Sequence, residues 1–183
     1  IIGKVTTSGS IESGLPEGLP IVAAGPDFIV SQLGTATVYP GRACDRAGTS
    51  EGINLCTENY ITDPRLMGYG HIIEPWFNVS GIISTSGRAQ DWIINTFGYG
   101  HLDCEEFLDE TTGVPSGSGK LLFLPYLTGE RAPLWNPDAR GAFIGLTLNH
   151  GRSEMVRAVL ESIGYAMRDV IEVMSENGAK ISE

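Results

Sequence analysis

The segment 152–177 constrains the fold more than any other. Its apolar residues Met155, Val159, Ile163, Met167, Val170, Ile171 and Met174 recur at i, i+3 and i+4 spacing, which marks one face of a long amphipathic helix. Asn177-Gly178 ends it, because glycine readily takes the left-handed conformation that closes a helix C-terminus. A face of that length needs a broad apolar surface to cover it. Short β-forming runs precede it. Residues 35–57 alternate turns with β-formers (Thr37-Val38-Tyr39, Pro40-Gly41, Gly48, Ile53-Asn54-Leu55) and read as an antiparallel meander. SGIIST, 80–85, reads as a strand, and Gly87 opens a helix on which Trp92, Ile93 and Phe97 share a face. Cys104 to Glu110 reads as a short acidic helix, GVPSGSG (113–119) as a flexible connector, and LLFLPYL (121–127) as a fully buried strand. Near the start, residues 1–20 read as a linker or edge segment, rich in Gly, Ser and Pro from residue 4. Residues 21–24 read as a short buried strand, and Ile29–Leu33 as a brief helix behind Asp27. The order is that of an α/β domain, and no fixed-period repeat is present.

Composition narrows the function classes. With 183 residues, 42% hydrophobic and 19% charged, the chain has the make-up of one globular domain. Its net charge of −10 gives no footprint for a phosphate backbone or an anionic membrane, so nucleic acid and membrane are not expected partners. A small anion remains admissible, because backbone N–H groups bind one without net positive charge. No apolar run approaches the ~20 residues of a membrane span, and no signal peptide is legible. Cys44, Cys56 and Cys104 form no CxxC and suggest reduced thiols in a cytoplasmic protein. Asn78-Val79-Ser80 fits the glycosylation pattern by chance. The chain opens at Ile1 and closes on a polar Lys180–Glu183, which reads as a fragment of something longer.

Two patterns mimic other chemistry. Gly48-Thr49-Ser50-Glu51-Gly52 satisfies G-x-S-x-G, but a nucleophile elbow needs strand, turn and helix, and here INLCT follows as a strand. Gly113 to Lys120 resembles a Walker A loop with the wrong spacing and with Leu121 where Ser or Thr belongs. His71, His101 and His150 have neither ligand spacing nor an evident acid partner. In isolation, Asp27 is a good helix N-cap and Gly48–Ser50 a hairpin turn.

GAFIGLTLNHGRSEMVRAVLES (141–162) carries Gly141, Phe143, Gly145 and Leu146, then Glu154, Met155, Ala158, Val159, Leu160 and Glu161. Upstream stand LPYLTGERAPLWNPDARG (124–141) and GLPEGLPIVAAGPDF (14–28). Together these strongly resemble the FGGY carbohydrate kinases, the xylulokinase-like branch above all. The resemblance implies an actin-like, ribonuclease-H-like ATPase domain with a mixed sheet flanked by helices, here incomplete. Residues 1–20 would belong to the inter-domain junction, and 21–183 to the second kinase domain, ending before the family's Gly-Gly adenosine motif. The partner in catalysis would be an N-terminal kinase domain outside this chain. A homodimer is compatible with the resemblance, and oligomeric state is not legible from the residues.

The resemblance also assigns roles. Asp27 would be the general base that takes the proton of the attacking sugar hydroxyl, with Phe28 packing beside the sugar. Gly48, Thr49 and Ser50 would form the hairpin that binds the nucleotide phosphates, glycine allowing close approach and N–H and hydroxyl groups donating. Ser86 and Gly87, opening a helix, would lie next to the nucleotide, where a helix N-terminus favours negative charge. ATP and Mg²⁺ are the implied cofactors. No side chain binds the metal directly; phosphates and waters would hold it, with a water bridge to Asp27. Glu130-Arg131 and the region 145–161 read as architecture. The implied reaction is phosphorylation of a xylulose-like ketose or related polyol, with this chain alone inactive. The alternative is a relative that has lost catalysis and serves as a sugar- or nucleotide-binding or regulatory protein; a chaperone or cytoskeletal ATPase of the same fold fits the Gly-Glu-Arg-x-Pro segment less well.

Overall fold

The computed structural model describes residues 3–21 and 25–182. Its centre is a four-stranded sheet built from β3 (Ala43–Arg46), β4 (Glu51–Thr57), β5 (Met67–Gly70) and β6 (Phe77–Ile83), in the order β3-β4-β6-β5. Every pairing in it is antiparallel. All seven residues of β4 are buried, because this strand has neighbours on both edges and a helix over each face.

The pleat sorts the two faces. Ile53, Leu55, Val79 and Ile83 fall on one face and pack against α5 (Arg152–Glu176) through Val170, Val173 and Met174. Gly81 in β6 lies under this contact, and a side chain there would run into Val170. α5 ends as its sequence predicts, with Asn177 at the cap and Gly178 at φ 80°. α3 (Gly87–Phe97) packs beside it through Ala89 and Ile93, in a second apolar cluster with Phe107, Leu121, Phe123, Val156 and Val159.

The opposite face is polar and is roofed by α2 (Asp27–Gly34). Gln32 Nε2 donates to Asn78 Oδ1 at 2.5 Å, and Asn78 Nδ2 to Asn54 Oδ1 at 3.4 Å. Phe28 meets Tyr69 of β5 with ring centres 5.2 Å apart. Gln32 Oε1, Asn54 Nδ2 and Ser80 Oγ are buried in this layer without a partner.

Several local expectations change. Residues 4–20 are not featureless: a ribbon of β1 (Gly3–Lys4) and β2 (Pro20–Ile21) frames a helix, α1 (Thr7–Ser13), that buries none of its residues. The buried strand expected over 21–24 reduces to Ile21, which is exposed; Val22, Ala23 and Ala24 lie outside the described residues. Thr37-Val38-Tyr39 forms no strand, and the meander begins at Ala43. α4 (Cys104–Asp109) has the short acidic form expected, opened by a capping box between Asp103 and Glu106. The run 121–127 is not fully buried. Only Leu122–Leu124 form a strand (β7), paired with β8 (Ala142–Ile144), and Leu122 and Ile144 face solvent opposite each other.

The segment 113–119 is anchored rather than flexible. Glu161 of α5 accepts from Gly117 N and Ser118 Oγ at 3.0–3.1 Å, and Arg157 holds both Glu161 and Ser116. Glu130 is architectural, as expected. Its buried carboxylate accepts from Ser84 N at 2.6 Å and from Arg131 N at 2.7 Å, and so fixes the chain where it leaves β6.

Candidate functional site

Gly48, Thr49 and Ser50 lie in the turn between β3 and β4. A strand follows this turn, not a helix, so the G-x-S-x-G pattern is a hairpin. Its carbonyls dock on the start of α3. Gly87 N donates to Gly48 O at 2.9 Å, and Ser86 N and Arg88 N both donate to Thr49 O at 3.3 Å. A Cβ on Gly87 would stand 2.5 Å from Gly48 O, so glycine is required for this approach. Helix-start donors that sequence reasoning offers to a nucleotide are therefore engaged by the hairpin. Ser86 and Gly87 position the turn and line the cleft beside it, while Gly48 and Thr49 remain exposed on its outer side.

Below the hairpin opens a cleft of about 560 Å³, lined by Gly48, Thr49, Ser86, Gln90, Asp91 and Gly164 among others. Two acids, Glu51 and Asp91, are in its lining. Ser86 Oγ donates to buried Glu51, and Glu51 faces Asp45 diagonally across the β3–β4 ladder. Burial, and then the Glu51 carboxylate beside it, push the Asp45 carboxyl up to about 6. Sequence reasoning misses Glu51, Gln90 and Asp91. The first is hidden inside the hydrolase-like pattern, and the other two become neighbours of the turn only through α3.

Asp27 sits on the other side of the sheet. It is the first residue of α2, with Pro26 at the cap position, so it is not the N-cap. Phe28 N donates to Asp27 Oδ1 at 2.7 Å, and Asp27 is exposed. Among the described residues no donor reaches its second oxygen. Half-buried Phe28 lies against Arg46, whose guanidinium carbon is 5.8 Å from the ring centre. Arg46 is the last residue of β3, immediately before the hairpin, whereas Gln32, further along α2, reaches Asn78 at the far end of β6. The head of α2 therefore lies over the polar face between Arg46, at the hairpin end of β3, and Tyr69 of β5, which pairs with Asn78, while the cleft opens on the other face of the sheet.

Among the described residues no cluster of three His, Cys, Asp or Glu side chains could hold a metal, and no helix is long and apolar enough to cross a membrane.

Residues 46–183 match the model of the FGGY family of carbohydrate kinases, C-terminal domain. A gluconokinase from Bacillus subtilis is 33% identical over 178 residues, covering 91% of this chain and 34% of the kinase. A xylulose kinase from Staphylococcus epidermidis is 31% identical over 184 residues, covering 99% of this chain and 37% of the kinase. The crystal structure of gluconate kinase from Lactobacillus acidophilus superposes with a TM-score of 0.86 at 30% identity, over 96% of this chain and 36% of that one. Xylulose kinase from Rhodospirillum rubrum gives a TM-score of 0.84 at 30% identity, over 97% and 36%. The chain thus spans about a third of the length of these relatives. It belongs to the FGGY family of carbohydrate kinases, matches that family's C-terminal domain, and has the actin-like, ribonuclease-H-like ATPase fold of those kinases.

Proposed function

We propose that this chain is the C-terminal part of an ATP-dependent kinase that phosphorylates a hydroxyl of a sugar or related polyol. The observation that carries this reading is the glycine-containing hairpin docked on α3 beside a cleft, with an exposed carboxylate at the head of the helix that roofs the other face of the same sheet. Phosphoryl transfer asks the protein mainly for positioning and electrostatics, and this arrangement offers both. Thr49 and Ser50 would donate to the phosphates, with the hairpin held rigid by its three hydrogen bonds to α3. Asp27 would accept the proton of the attacking hydroxyl as the new O–P bond forms and the bond to the β-phosphate breaks. ADP then leaves, and Asp27 returns the proton to water.

The donor set fits Mg²⁺ bound through phosphates and waters rather than through a protein cage, since Asp27 is an isolated carboxylate. Bound there, Mg²⁺ neutralises developing phosphate charge. The opposite wall of the cleft, with the remaining sugar contacts, would come from an N-terminal domain outside this chain, in a cytoplasmic enzyme.

A coupled ADP-release assay of the full-length protein against a panel of ketoses, polyols and aldonates tests this reading. ADP release that depends on one acceptor, with a phosphorylated product by mass spectrometry, is expected. No acceptor-dependent ADP release across the panel, despite nucleotide binding, would favour the non-catalytic alternative.

A further inference from the structure

One cation, Arg46, packs against Phe28 with no carboxylate in direct contact among the described residues. The pleat places Arg46 opposite Gly52, on the α2 face of the sheet. Its sequence neighbour Asp45 falls on the α5 face with Glu51, and the attraction of Arg46 is the weakest of the influences on that carboxyl. Gly52 makes room for the guanidinium, since a Cβ there would stand 3.4 Å from Nη2. The Phe28 ring lies over its other side at 5.8 Å. Nε is buried with no hydrogen-bond partner, and among the described residues no ion pair involves Arg46. By contrast, Arg65, Arg157 and Arg168 each meet a carboxylate within 3 Å.

A partly desolvated guanidinium with a buried donor unmet and no carboxylate in direct contact is costly, and a ligand that supplies the partner offsets that cost. The location indicates which ligand. Phe28 follows Asp27 and its ring lies against Arg46, so an acceptor that reached Asp27 and lay along Phe28 would meet the guanidinium. A neutral sugar hydroxyl needs only a neutral donor, whereas a carboxylate takes two parallel N–H bonds from one guanidinium. We infer that Arg46 binds the carboxylate of the acceptor and that the acceptor is therefore a sugar acid rather than a neutral ketose. The inference rests on the kinase reading above and narrows its substrate class. The other anion within reach is the transferring phosphoryl group. A contact to that group would lower kcat alike for all acceptors, whereas a carboxylate contact acts on the acid alone.

The test uses the full-length protein, with D-gluconate and other aldonates set against their neutral alditols and against xylulose. Phosphorylation is followed by ADP release, and acceptor binding without ATP by calorimetry. The wild type should prefer an acid. Arg46→Met should reduce the acid-to-neutral ratio of kcat/KM by roughly ten- to hundredfold, through KM of the acid. Arg46→Lys, which keeps the charge but not the fork, should retain part of the preference and guards against a variant that does not fold. A wild type that prefers a neutral acceptor, or an Arg46→Met variant that lowers kcat equally for both classes, overturns the inference and leaves the kinase reading standing. Arg46-dependent binding of an acid with no phosphorylation of any acceptor would overturn the kinase reading instead and uphold the carboxylate contact.

Discussion

Replacing Gly87 by alanine probes the docking of the hairpin on α3. The added methyl carbon would stand 2.5 Å from Gly48 O, 3.2 Å from Gly48 C and 3.6 Å from Thr49 Cα. These atoms are backbone, so no side chain can swing aside. The turn must retreat by roughly 1 Å to restore an ordinary contact. That stretches the 2.9 Å bond from Gly87 N to Gly48 O beyond hydrogen-bonding range. Overpacking costs about 1–3 kcal/mol and the lost bond about 1 more. The domain's thermal transition should fall by roughly 5–10 °C. Displaced phosphate donors should also weaken nucleotide binding by about tenfold. Differential scanning fluorimetry and nucleotide titration of the full-length variant read both effects. Gly100→Ala is the control, because a Cβ there meets nothing within 4 Å and its φ is not in the left-handed region. A Gly87→Ala protein with wild-type melting and nucleotide affinity would refute the docking argument.

Three further outcomes are expected. Burial and the neighbouring Glu51 carboxylate push the Asp45 carboxyl up to about 6, above the ordinary carboxylate range, so the folded state keeps that proton to a higher pH than the unfolded chain. Its contribution to stability is full below about pH 4 and is lost as pH rises through 6. Asp45→Asn should therefore melt about 2–4 °C above wild type at pH 8 and show no gain near pH 4, the exposure of the group keeping the effect modest; parallel pH profiles would contradict this. Glu130→Ala should strip Ser84 N and Arg131 N of their acceptor and destabilise by about 2–4 kcal/mol in urea unfolding, whereas Glu130→Gln, which retains an acceptor oxygen, should cost less than half as much. The isolated 183-residue chain should show no sugar phosphorylation, and measurable turnover by it would sink the two-domain reading.

The long helix, α3 and the β3–β4 hairpin are legible in the sequence because each has a local cause. α5 has a sustained period and a glycine stop, α3 opens at Gly87 after a β-rich run, and the hairpin has its turn residues between two strands. What eludes sequence reasoning depends on distant partners. An apolar run such as Leu121–Leu127 does not reveal that Leu122 stays exposed. The Gly-Ser segment 113–119 looks loose until Glu161, 44 residues away, anchors Gly117. Gln32, Asn54 and Asn78 look like surface residues, yet they form the buried layer beneath α2. The donors at Ser86 and Gly87 seem available until the hairpin folds onto them. Asp27 and Gly48–Ser50 stand out only through resemblance. Arg46 emerges from the register that sets it over Gly52.

The central claim is that Asp27 takes the proton of the sugar hydroxyl. Its most direct test is Asp27→Asn in the full-length enzyme, with kcat measured by ADP release and nucleotide affinity by titration. Asparagine preserves size and the acceptor for Phe28 N but cannot take the proton. A fall in kcat of at least ~10²-fold with unchanged nucleotide affinity is predicted. Turnover close to wild type would contradict the assignment of Asp27 as the base.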